Sequence, residues 1–213
     1  MPIYTTIENK MFPTYKFSEF GLINECPKRK PIIDILTNCG LDDALHSINT
    51  LIPNDKDKIV LYAIRCAENV LHIFENVFPN EKAPRLAIEA AKDCLNGNSD
   101  IKKLEIVIKA VSKVAVETAK IPHAAWAAWA ACSAAETARF SLSPHVGHDH
   151  SGEIARGAGE SSRNARESRR ALGKDMADFA GETNNKGDAE RAAEMEFQLN
   201  LFKGIFGKTN NPN

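Results

Sequence analysis

From Leu41 to Phe206 apolar residues return every three or four positions, the period of helices buried along one side. Leu41, Leu45, Ile48 and Ile52 mark a short helix that must end before Pro53. A second helix, opening near Asp55 or Asp57, carries Val60, Ala63, Ala67, Val70, Leu71, Phe74 and Phe78 on one face. Arg65, Glu68, His72 and Glu75 fall on the other face, and Pro79 closes the helix. A third runs from Pro84, a suitable first-turn proline, to Leu95, where Gly97 stops it. The fourth starts near Ser99 or Asp100. Its stripe of Ile101, Leu104, Ile108, Val111 and Ala115, widened by Val107 and Val114, predicts a central helix.

Beyond Pro122 the pattern changes. Alanine supplies half of the stretch from His123 to Phe140, so neighbouring helices can approach it closely, and Trp126 and Trp129 are the large groups on it before Phe140. Ser143 to Gly152 reads as a polar loop. After it, Glu153–Arg156, Glu160–Arg163 and Glu167–Arg170 repeat every seven residues and keep one helix face charged. Gly157 and Gly159 weaken the first turns, so the stable part is expected near Ser161. A turn at Gly181–Gly187 precedes a last helix from about Asp188 to Phe206, with a frayed tail over 208–213. The first forty residues differ again: Pro2, Pro13, Pro27 and Pro31 prevent a long helix, while Tyr4, Phe12, Tyr15, Phe17 and Phe20 give an extended arm something to bury. The expected fold is all-α, a bundle of six to seven helices: an irregular arm over 1–40, one helical domain over 41–207, then the tail.

Composition narrows the function classes. Hydrophobic residues make up 43% and charged residues 26% of the 213, which excludes a wholly disordered chain. The formal charge is -1, without the global basic excess of a nucleic-acid binder. The longest uncharged run, Ile121 to Ala135, holds Pro122 and His123 and is too short for a membrane helix. The N-terminus lacks the basic-then-apolar pattern of a signal peptide. Five scattered cysteines without a CxxC spacing predict reduced thiols and a cytoplasmic setting.

Candidate chemistry is sparse. His145, His148 and His150, with Glu153 beyond, are the densest set of metal ligands and suit zinc or nickel, although a solvated loop explains them as well. The Gly204–Thr209 stretch imitates part of a phosphate-binding loop but lacks a further glycine at Phe202 and a helix behind it. Arg166 and Arg169 lie outside the Glu–Arg row and are placed to meet phosphate or an acidic partner. Trp126 and Trp129, with His123 and Arg139 nearby, offer a stacking surface or core filling. No catalytic triad or carboxylate pair has recognisable context, and Cys66 and Cys132 read as buried small hydrophobes, so no enzyme is expected.

Residues 61–92 carry Cys66-Ala67-Glu68, then Val70, Leu71, Phe74 and Glu75, a turn at Pro79, and Pro84-Arg85-x-Ala87-Ile88-Glu89-Ala90-Ala91. This hairpin resembles the bacterial "putative immunity protein" family of polymorphic toxin systems. Ala83 stands where that family often has Arg, and the His-rich loop, the Glu–Arg repeat and the aromatic arm have no counterpart in the resemblance. Within the hairpin, a buried Arg85–Glu68 or Arg85–Glu89 pair would fix the angle between the helices. The resemblance implies a binding protein that neutralises a toxin-like protein partner by occlusion, with no cofactor. Two alternatives remain at this stage. One is an oligomeric protein sequestering a small phosphorylated, nucleotide-like ligand in phage–host conflict. The other is a metal-dependent enzyme using zinc at the histidine loop. The last helix, with Phe197, Leu201 and Ile205 in one row and Phe202 and Phe206 beside it, also suggests a homodimer.

Overall fold

The computed structural model describes residues 4–5, 30–47, 55–142, 148–180 and 185–207. Most of the expected aromatic arm, the end of the first helix at Pro53, the loop containing His145 and the tail over 208–213 lie outside the described residues. Among those described, eight helices form an all-α bundle. They are α1 (Ile32–Cys39), α2 (Leu41–Ser47), α3 (Lys56–Val77), α4 (Ala83–Leu95), α5 (Ile101–Glu117), α6 (Pro122–Ser141), α7 (His148–Ala180) and α8 (Asn185–Phe206). A two-residue antiparallel ladder joins β1 (Tyr4–Thr5) to β2 (Lys30–Pro31), with Tyr4 opposite Pro31.

The extra helix is α1, which occupies 32–39 inside the stretch read as irregular. Pro31 precedes it and so does not interrupt it, and Ile32, Ile35 and Leu36 give it a buried face. Gly40, at φ 93, allows the tight passage into α2. The α3–α4 hairpin follows the sequence closely: α3 buries Val60, Ala63, Ala67, Val70, Leu71 and Phe74, and α4 ends before Gly97 at φ 72.

The centre of the bundle is α6, not α5. α6 packs against α3, α4, α5 and α7, and its alanines, which occupy all but the side of Trp126 and Trp129, are buried. α5 packs mainly on α4 and α6 and leaves its other side in solvent. A helix that packs against four others needs short side chains where they meet it, and an alanine-rich one also forms readily by itself. A wider apolar stripe, as on α5, still serves only one face.

α6 and α7 run antiparallel along a seam of small residues. Ser168 Oγ donates to the His123 carbonyl at 2.7 Å, and Ser161 Oγ lies 3.1 Å from the Ala130 carbonyl and 2.9 Å from that of Ala63 on α3. Gly157 faces Thr137 so closely that a Cβ there would sit 2.5 Å from Thr137 Oγ1. This contact, made by a residue expected to weaken the helix, accompanies a helix that begins at His148 and runs through both glycines. α8 folds back along α7 and α3. Phe202 and Phe206 are buried against Tyr62, with ring centroids 5.9 and 6.5 Å away.

Candidate partner-binding surface

Pro122 opens α6, and its first turn packs on α7 near that helix's end. His123 Nδ1 lies 2.6 Å from Asp175 Oδ2, while the His123 backbone is held by Ser168. One turn along α6, Trp126 is 39% exposed. Next to Asp175 on α7, Met176 is also exposed, and one turn further Phe179 is 97% exposed. Large apolar side chains are thus exposed on either side of this His–Asp contact along the helix pair, Trp126 one turn into α6 and Met176 and Phe179 toward the end of α7. Water-facing aromatics on a rigid scaffold are unusual, and Trp, Met and Phe are the residue types enriched where one protein covers another. Trp129, the next turn of α6, is partly buried and packs on the core.

The helix ends account for the exposure of Phe179. α7 has 33 residues, about 50 Å, whereas α6 has 20, about 30 Å. The start of α6 is level with Asp175, so the last turn of α7 overhangs it. Here α8 approaches α7 further back: a Cβ on Gly173 would meet the Lys186 carbonyl at 2.8 Å and Gly187 Cα at 2.9 Å.

The remaining expected residues are dispersed. Arg85 pairs with Glu75 rather than Glu68 or Glu89, by two bonds of 2.6 Å from Nε and Nη2. The pair is at the surface, and the guanidinium beside Glu75 holds its carboxyl below the usual range. Glu68 instead meets Arg65 and Lys92. Arg139 lies 4.3 Å over the ring of Phe140 near the far end of α6.

Arg166 is 1% exposed. Its Nη2 lies 2.7 Å from Asp42 Oδ1 on α2, and Nη1 is 3.2 Å from both Ser162 Oγ and Gln198 Oε1, while Nε has no partner among the described residues. Beside it, Gln198 and Asn69 donate to the two carboxylate oxygens of buried Glu194 at 2.9 and 2.6 Å. Burial pushes the Glu194 carboxyl up. Arg169 borders this network, 3.6 Å from Glu194 and 3.8 Å from Glu190. The two arginines therefore tie α2, α3, α7 and α8 together inside the bundle, away from Trp126.

Of the Glu–Arg row, Arg156 meets Glu153 and Glu160 at 2.7 Å, and Arg170 lies 3.7 Å from Glu167. His148 and His150 fall in the first turn of α7, where a loop was expected, and His145 lies outside the described residues. Among the described residues no group of three His, Cys, Asp or Glu side chains is arranged to hold a metal. The thiols of Cys66 and Cys132 are buried inside helices, as expected, and burial raises both, Cys132 to about 11. A thiol held protonated in this way is a poor nucleophile.

Of the residues on this candidate surface, the sequence had singled out His123 and Trp126 but not Asp175, Met176 and Phe179. On a helical wheel Phe179 follows Leu172 by seven residues and so shares its half-buried side. Only the overhang of α7, which depends on where α6 starts, turns it into solvent.

Residues 49–143 match a family model described as "Imm-5 like putative immunity protein", in agreement with the resemblance seen in the α3–α4 hairpin. No curated protein and no solved structure matches the chain. Among the described residues no helix is long and apolar enough to cross a membrane.

Proposed function

We propose that this protein is a non-enzymatic, immunity-type binding protein that acts in the cytoplasm and neutralises a toxin-like polypeptide by covering its working surface. The family match supplies the class, and the exposed face of Trp126, Met176 and Phe179 around His123–Asp175 carries the mechanism. Trp126, on a helix packed against its neighbours, loses little entropy on binding, so its burial contributes to affinity rather than to ordering the surface. Occlusion needs no reacting group in the inhibitor. Sequestering a phosphorylated small ligand would need Arg166 and Trp126 in one cleft. Arg166 lies buried against Asp42 and Gln198, so this support goes to a polypeptide.

The test is native mass spectrometry of untagged protein from host cells carrying the neighbouring genes. The wild type is expected to retain a second polypeptide in fixed stoichiometry. The Trp126→Ala/Phe179→Ala variant, with unchanged circular dichroism and thermal unfolding, should lose it. A bound mass of a few hundred daltons, or a polypeptide retained equally by the variant, would reject the mechanism.

A further inference from the structure

The outward side of α5 has no structural role that accounts for its composition. Lys102, Ile106, Lys109, Lys113 and Val116 fall within an arc of about 80° on the helix, opposite buried Leu104, Val111 and Ala115. Lys120 follows in the turn leading to α6. Ile106 is 70% exposed and Val116 is 64% exposed. Both are β-branched, which makes them poorer helix formers than alanine, so neither packing nor propensity explains them.

Lys103, at the edge turned toward α4, meets Asp93 at 2.5 Å. Along the outward stripe Lys102, Lys109 and Lys120 have no ion-pair partner among the described residues, as is also true of exposed Arg163 and Lys174 on α7, but only on α5 do such cations line up beside exposed aliphatic side chains. Lys113 reaches only Glu117, at 3.7 Å, with both side chains largely in solvent. The lysine facing a neighbouring helix has a close carboxylate partner, and those facing outward extend into solvent.

We propose that this stripe is the recognition face for an acidic surface of the neutralised polypeptide, an inference that rests on the function proposed above. The stripe combines positive charge with two aliphatic knobs ten residues, about 15 Å, apart along the helix. That combination fits a protein surface offering carboxylates around two shallow apolar sockets. Nucleic acid fits less well. The stripe has no arginine fork for phosphate, Glu105 and Glu117 border it on either side, and Ile106 and Val116 would find only sugar and phosphate. An anionic membrane fits less well too, because the face has no aromatic residue and only two short aliphatic groups to insert.

In the chain, Val116 and Lys120 precede His123 and Trp126 by a single turn, residues 118–121. The lysines accelerate encounter, while Ile106 and Val116 slow dissociation.

The probe is the polypeptide recovered with the wild-type protein, identified by its mass and sequence and purified for binding kinetics. Lys102→Glu/Lys109→Glu/Lys113→Glu, on positions that make no core contact, should weaken binding about tenfold or more, mainly through the association rate. The deficit should shrink as salt is raised. Lys102→Arg/Lys109→Arg/Lys113→Arg should bind as the wild type does. Ile106→Ala/Val116→Ala should instead raise the dissociation rate. If the reversed variant binds the polypeptide unchanged while Trp126→Ala/Phe179→Ala does not, the α5 face is refuted and the proposed function stands. If no polypeptide accompanies the wild type, both fall. If reversal abolishes binding to a duplex DNA or to phosphatidylserine vesicles and spares the polypeptide, the acidic-protein assignment is overturned.

Discussion

Gly157 and Gly159 lie two residues apart in the same helix, yet their surroundings give them opposite roles. A Cβ at Gly157 would press on Thr137 Oγ1, whose hydroxyl is already committed to the Ser133 carbonyl at 2.7 Å, whereas nothing lies within 4 Å of one at Gly159. Gly159→Ala should therefore stabilise the fold by up to about 1 kcal/mol through helix propensity. Gly157→Ala should destabilise it by about 1–3 kcal/mol through overpacking. Urea denaturation midpoints would decide, and the reverse order would refute the close α6–α7 seam. Two glutamates make a similar pair for pH. Arg85, followed by smaller effects of Lys82 and His72, lowers the Glu75 carboxyl from its ordinary 4.5, so its contribution is present above that value and is lost as pH falls through the folded value. Burial raises Glu194 above the same 4.5, so its contribution is full below that value and is lost as pH rises through the folded value. Glu75→Gln should cost at most about 1 kcal/mol at neutral pH, because the pair is exposed, and the gap from wild type should close on acidification. The gap for Glu194→Gln should instead close as pH rises. Urea unfolding across about pH 4 to 7 checks both slopes.

α2 is a seven-residue helix, too short to persist without anchoring, and Asp42 attaches it to the body through buried Arg166. Removing Asp42 leaves that guanidinium without its carboxylate and with Nε still unpartnered. Asp42→Ala should cost about 2 kcal/mol although Asp42 itself faces solvent. Amide exchange in 41–47 should accelerate while α3 keeps its protection. Asp188→Ala, which removes a carboxylate 3.4 Å from exposed Arg170, should change stability by less than about 0.5 kcal/mol. Equal effects from the two would refute the anchor. Elements bounded by covalent constraints were legible in the sequence: Pro79, Pro84, Gly97 and Pro122 fix the limits of α3, α4 and α6 through backbone geometry alone. The centre of the bundle was not, because the stripe on α5 reports how apolar a face is and not how many helices cover it. Nor was the fate of Arg166. The wheel sets it outside the Glu–Arg row, but its partners Asp42 and Gln198 lie 124 and 32 residues away. For the candidate binding face, His123 and Trp126 could be proposed from residue type, whereas the exposure of Phe179 depends on relative helix lengths.

At the scale of the molecule, the residues matched to the immunity-protein family end at 143, just beyond α6 and before α7 and α8. α6 is buried over most of its surface, and one side is covered by α7 through Gly157, Ser161 and Ser168. α8 then covers Tyr62 with Phe202 and Phe206. The matched segment alone would expose the α7-facing alanines of α6 together with Tyr62 and its neighbours on α3. It would also lose Ser161, whose hydroxyl approaches carbonyls on both helices. A fragment spanning 49–143 should accordingly keep helical far-ultraviolet circular dichroism but lose near-ultraviolet signal, bind a hydrophobic dye and unfold without a sharp transition. The full chain should unfold cooperatively. If adding residues 148–207 as a separate chain restores a single sharp transition, α7 and α8 complete the same core. If the fragment alone unfolds sharply, the matched segment is a self-sufficient domain, and the packing of α6 between α3 and α7 is not what sustains it.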